Sequence, residues 1–82
     1  MIAMCLFNRI VPERFGTYGS PTLKPFALNV MEVITVESFY DDDNGYEYTM
    51  IRLKDSSELR VIENMMDVLQ SIKACIDMAY GN

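Results

Sequence analysis

Histidine and tryptophan are missing from this 82-residue chain. Without an imidazole there is no Ser–His or Cys–His nucleophile pair and no ordinary general base, and the commonest zinc ligand is absent as well. Basic side chains are scarce: seven Lys and Arg stand against twelve Asp and Glu, a net charge of −5. Phosphate backbones and anionic membranes need a basic footprint. Nucleic acid and membrane are therefore not expected as partners, whereas basic protein surfaces remain open. Cys5 and Cys75 are the only cysteines, and neither belongs to a CxxC motif. Each lies in an apolar run, where a free thiol behaves as a small buried hydrophobe; a bridge between them would need the two chain ends to be adjacent. No apolar run approaches a membrane span, and the opening residues lack the charged start and the length of a signal segment. The expected location is a reducing cytoplasm.

What is present suits one small domain. Half of the residues are hydrophobic and 23% are charged, which is globular composition. A domain of this size is expected to hold about 4–8 kcal/mol of net stability, so self-association is a plausible supplement.

The expected fold is α+β: an antiparallel β-meander of three strands, with the N-terminal run as a candidate fourth, packed on one C-terminal α-helix. Residues 1–11 form an apolar run of strand length. Residues 12–27 hold all three prolines and two glycines and read as a long loop. Residues 28–62 read as the meander, with a short turn around residues 29–32 before the strand that begins at Val33. Residues 64–80 read as the helix. Asn64 is a good N-cap with Asp67 at N3. Met65, Val68, Leu69, Ile72, Cys75, Ile76 and Ala79 fall on one stripe, and Gly81 suits the helix stop.

Turn chemistry supplies an expected register. Asn44-Gly45 is the strongest short hairpin signal, since a type I′ turn needs φ > 0 at both central residues. Centring the hairpin there pairs Asp43 with Tyr46, Glu37 with Arg52 and Val36 with Leu53. Ile34, Val36, Ile51 and Leu53 then share one face. A three-residue turn at Asp55-Ser56-Ser57 pairs Lys54 with Glu58 and adds Leu59 and Val61 to that face. On the opposite face Arg52 meets Arg60, with Glu37 as the acid that relieves them.

The order Leu28-Asn29, Val33 to Val36, Ile51-Arg52-Leu53-Lys54-Asp55, Leu59-Arg60-Val61 and then Glu63 to Ile72 resembles the flagellar FlbD-like family and comparable small proteins of phage genomes. The likeness covers roughly residues 28–73 and consists mostly of hydrophobic spacing. Ser56-Ser57 stands where such turns usually carry Gly, and the first 27 residues and the Asp-rich turn have no counterpart. The resemblance implies a small regulatory or accessory protein without enzymatic activity, and it supplies no site.

The remaining constellations are few. Asp41-Asp42-Asp43-Asn44 suggests calcium, but with Asp41 first the sixth position, where an EF-hand loop requires Gly, is Tyr46. A solvated hairpin tip is the favoured reading, and its like charges discourage edge-to-edge pairing. Glu37, Asp41, Asp42, Asp43 and Glu47 interleave with Phe39, Tyr40, Tyr46 and Tyr48 and could offer an acidic, aromatic surface to an Arg-rich partner. Ordinary strand composition is the plainer explanation of the same residues. Met50 and Arg52 share the outer face with Phe39. Nothing assembles a nucleophile, a base and an oxyanion site, and no cofactor or metal is expected. The expected function is a non-enzymatic interaction or regulatory protein that binds a protein partner, in the form of a phage or mobile-element inhibitor of a host factor. The alternative is a structural homo-oligomer joined through Phe39, Met50 and the N-terminal strand.

Overall fold

Alternation decides the N-terminal run. Ala3, Cys5 and Phe7 are buried while Met4 and Leu6 stand exposed, the two-residue period of a strand with one face in the core. The computed structural model describes residues 2–11 and 22–81. It comprises β1 (Met4–Ile10), β2 (Leu23–Asn29), a 3₁₀ turn (Val30–Glu32), β3 (Val33–Asp41), β4 (Tyr46–Leu53), β5 (Glu58–Val61) and α1 (Met65–Ala79). The strands form one sheet in the order β2-β1-β5-β4-β3, with every neighbouring pair antiparallel. Ala3, Cys5, Phe7, Leu28, Val30, Ile51 and Val61 pack with Val68 of α1 on one face of this sheet. No helix among the described residues is long and apolar enough to cross a membrane.

The α+β class and the C-terminal helix agree with the sequence reading; the strand count does not. Among the described residues the sheet has five strands, because the segment expected to remain loop through residue 27 is already β2 from Leu23 onward. Pro25 argued against a strand there. It is accommodated because β2 is an edge strand, where a missing N–H need not break a ladder. The remainder of the expected loop, residues 12–21, lies outside the described residues.

The short turn at residues 29–32 has a specific anchor. Asn29 Oδ1 accepts from Met31 N at 3.2 Å, capping the 3₁₀ turn, and from Ala3 N at 3.1 Å. Val30 N donates to the Ala3 carbonyl at 2.9 Å. One carboxamide thus holds the chain corner against the start of β1.

Both hairpins depart from the expected register by two residues. In the first, Asp41 pairs with Tyr46, so the loop has four residues, Asp42 to Gly45. Gly45 has φ +73°, whereas Asn44 is not among the positive-φ residues, which excludes a type I′ turn. Asp41 is the cause. Its carboxylate accepts from Asn44 N at 3.1 Å and from Asn44 Nδ2 at 3.0 Å, and its carbonyl accepts from Gly45 N at 2.7 Å. A single helical turn is capped as a helix would be, and Gly45 closes it in the left-handed region. In the second hairpin Leu53 N donates to Ser57 O and Ser56 N to Leu53 O, each at 2.9 Å. The three-residue loop is therefore residues 54–56, one position earlier than expected.

A shift of two preserves which face each residue occupies, so most of the apolar set survives. Val36 faces Ile51, and Ile51 faces Leu59. Ile34 is the exception. The register breaks between Val33 and Thr35, so Val33 pairs with Leu53 and packs on the core, while Ile34 is left 57% exposed. A bulge inserts one residue and thereby reverses the facing of those before it.

The helix follows its caps. Asn64 Oδ1 accepts from Asp67 N at 2.9 Å, and the backbone N–H of Tyr80 closes the other end on Ile76. Val68 is fully buried, and Ile72, Cys75 and Ile76 pack against the core. Leu69, at the margin of the stripe, is 43% exposed, and Ala79 is exposed. The sheet-facing stripe is narrower than the sequence suggested.

Ser56 occupies the left-handed region at φ +72°, where a Cβ costs about 1–2 kcal/mol. Ser56→Gly should raise stability by about 1 kcal/mol, and the melting temperature by several degrees. An unchanged or lower melting temperature would show that the serine side chain compensates for the strain.

Candidate functional site

The β3–β4 hairpin distributes its side chains between two faces. Asp41 faces Tyr46, Phe39 faces Tyr48, Glu37 faces Met50 and Thr35 faces Arg52; these pairs lie on the face away from α1. Tyr40 with Glu47, Ser38 with Thr49 and Val36 with Ile51 alternate onto the helix side. Of the residues singled out in the sequence, Glu37, Phe39, Asp41, Tyr46, Tyr48, Met50 and Arg52 therefore share the outer face. Tyr40 and Glu47 point the other way, where Glu47 Oε1 accepts from Ser38 Oγ at 2.9 Å. Asp42 and Asp43 stand exposed at the tip.

Aromatic packing organises the outer face. Tyr48 is 8% exposed although α1 packs on the opposite side of the sheet. Phe39 stacks on it with ring centroids 5.8 Å apart, Tyr46 tilts against it at 6.2 Å, and the Arg60 guanidinium lies 5.2 Å from its centroid. Phe39 remains 41% exposed, an aromatic ring held in place from beneath. Desolvation, and after it the negative charge of Asp41, raises the Tyr46 hydroxyl pKa above its ordinary value.

Arg60 is the residue that sequence reasoning missed here. In the expected register Arg52 and Arg60 face each other; the observed one sets Arg52 against Glu58 and Met50 against Arg60. Arg52 Nη2 bonds Glu58 Oε2 at 3.1 Å, so Glu58 rather than Glu37 relieves its charge. The pair is about half exposed on both sides and contributes little to stability. A correct hairpin register was the signal that would have placed Arg60 among the tyrosines. The outer face thus carries acids and bases together, with Asp42 and Asp43 exposed at the hairpin tip.

Asp41 differs from its neighbours in role. Both carboxylate oxygens are engaged by Asn44, which holds its pKa below the usual value; the Asn44 amide and, weakly, Arg60 add to this. Asp55 is lowered in the same way by the hydroxyl and amide of Ser57. Among the described residues no three His, Cys, Asp or Glu side chains converge to hold a metal ion. A shallow depression of about 410 Å³ lies between β3–β4 and the start of α1, lined by Ser38, Glu47, Asn64, Met65, Met66 and Asp67. Its two carboxylates, two thioethers, amide and hydroxyl include no cation to pair an anionic ligand.

No protein-family model, curated protein or solved structure matches this chain.

The carboxylate geometry has a pH consequence. Asp41 and Asp55 are held below 3.8 when folded, so their contribution is present above that value and lost as pH falls through the lower folded values. Asp41→Asn and Asp55→Asn should each lower the urea midpoint at neutral pH, and the gap to wild type should narrow below about pH 4. A gap that does not change with pH would separate these carboxylates from acid stability.

Proposed function

We propose that this chain is a small non-enzymatic interaction protein of regulatory kind. It would grip a protein partner with a basic surface, using the outer face of β3–β4 and the acidic tip. One observation carries the reading: Phe39 stands exposed on a buried Tyr48, beside Glu37 and close to the exposed Asp42 and Asp43. A pre-positioned aromatic ring can anchor a contact at low entropic cost, and the nearby carboxylates can steer a cationic partner. The likeness of residues 28–73 to small flagellar and phage accessory proteins suggests the specific form, an inhibitor of a host factor.

Asp41 is a poor test position because it builds the turn. Asp42 and Asp43 are free of that role. With an arginine-rich peptide as probe, amide shifts should gather on Phe39, Asp42, Asp43 and Tyr46 and should fade as salt rises. Asp42→Lys/Asp43→Lys should weaken binding by about tenfold without lowering the melting temperature. Equal binding by the double variant removes the tip from the contact.

A second reading has its own observation. At the other end of the outer face Leu6 is 76% exposed and Met4 is exposed beside it, on a strand that is internal to the sheet. An apolar surface in that position suits a second copy of the chain, which would also explain the exposure of Phe39 and the part-exposure of Met50. Light scattering over a dilution series decides it: a dimer that Leu6→Lys dissociates supports this reading, and a monomer at high concentration ends it.

A further inference from the structure

The two cysteines, near opposite ends of the chain, meet in the fold. Cys5 points inward from β1 and is buried, and its Sγ donates to the Ser71 carbonyl at 3.4 Å. Within α1 that carbonyl is also the i−4 acceptor of the Cys75 amide. The Cys5 sulfur therefore lies against the helical turn that carries Cys75. Cys75 is half-buried and packs on the same hydrophobic cluster that contains Cys5. Burial, and after it the nearby Cys75 thiol, pushes the Cys5 thiol pKa up to about 12.

We propose that Cys5 and Cys75 are a disulfide-forming pair that closes within the folded chain on exposure to a small-molecule disulfide, tying α1 to β1. Cys75 is the accessible thiol and reacts first. Its thiol gives up a proton, and the resulting thiolate attacks one sulfur of oxidised glutathione. The glutathione S–S bond breaks, and one glutathione leaves as a thiolate and takes up a proton. Cys5 then loses its proton and attacks the Cys75 sulfur of the mixed disulfide, expelling the second glutathione. Two protein thiols are oxidised by two electrons, and one glutathione disulfide is reduced to two thiols. Because Cys5 resists ionisation, the second step is the slow one at neutral pH and speeds up as pH rises. Closure joins Cys5 to Cys75 and so constrains the long segment between them in the unfolded chain.

The test treats the full chain with oxidised glutathione under native conditions, followed by acid quench, intact mass, thiol titration and a melting curve. At about pH 9 the expected product has lost two hydrogen atoms and both free thiols, and melts roughly 10 °C or more higher. Near pH 7 a glutathione adduct on Cys75 should precede it. Cys75→Ser should form no bridge and show no oxidant-dependent rise in melting temperature, while Cys5→Ser should retain a stable adduct at Cys75. A wild-type adduct that persists at the higher pH overturns the proposal. So do thiols that stay unreacted, bridges between chains, or a bridge that forms only in denaturant. None of these outcomes bears on the outer face, so the result stands apart from the binding function.

Discussion

The narrow join between β1 and β5 holds the molecule together. Two antiparallel blocks, β1–β2 and β3–β4–β5, meet through the single pair Arg9 and Val61 and the bond from Ile62 N to Asn8 O at 3.0 Å. The ladder would end there, but the Glu63 carboxylate extends it, accepting from Asn8 N at 3.0 and 3.1 Å and from Asn8 Nδ2 at 3.0 Å. Thr49, fully buried, donates its hydroxyl to the Glu63 carbonyl at 2.6 Å and fixes that residue from the other side. A two-stranded block such as β1–β2 is at best marginally stable alone. Joined, they bring Cys5, Phe7 and Leu28 beside Ile51 and Val61 and give Val68 of α1 a continuous surface to cover.

That join also explains why α1 lies away from the outer face. α1 is spent on the seam side, where both blocks contribute apolar residues, and its start lies near Ser38 and Glu47. On the far side of β3–β4 Tyr48 is packed by Phe39, Tyr46 and Arg60. The same packing that protects Tyr48 leaves Phe39 partly in water. Asp41 sets the hairpin end by capping its turn, which places Asp42 and Asp43 outward and leaves them without a structural task.

Much of this was legible in the residues where the determining interactions are local. Asn64 and Asp67 mark the helix start because the bonds they form span three positions. The facing of β3–β4–β5 followed from a period of two, and Phe39 and Met50 were placed on one face for that reason. What failed needed a partner distant in sequence or a choice between competing turns. Asn44-Gly45 signalled one hairpin, and Asp41 selected another by bonding Asn44. Ile34 and Val33 are both apolar and β-branched, and only the bulge against Leu53 decides which of them turns inward. Arg60 could not be placed beside Tyr48 until both two-residue shifts were known.

The sequence by itself determined the α+β class, the helix and its caps, and the face to which most strand residues turn, since each depends on neighbours within a few positions. Tertiary structure alone decided that β2 exists as an edge strand despite Pro25, that β1 lies between β2 and β5, and that Cys5 lies against the turn carrying Cys75. Those outcomes depend on which distant segments share hydrogen bonds and a core. Hydrophobic periodicity encodes the facing of a residue and leaves its partner unspecified, because any register shift of two satisfies it equally well.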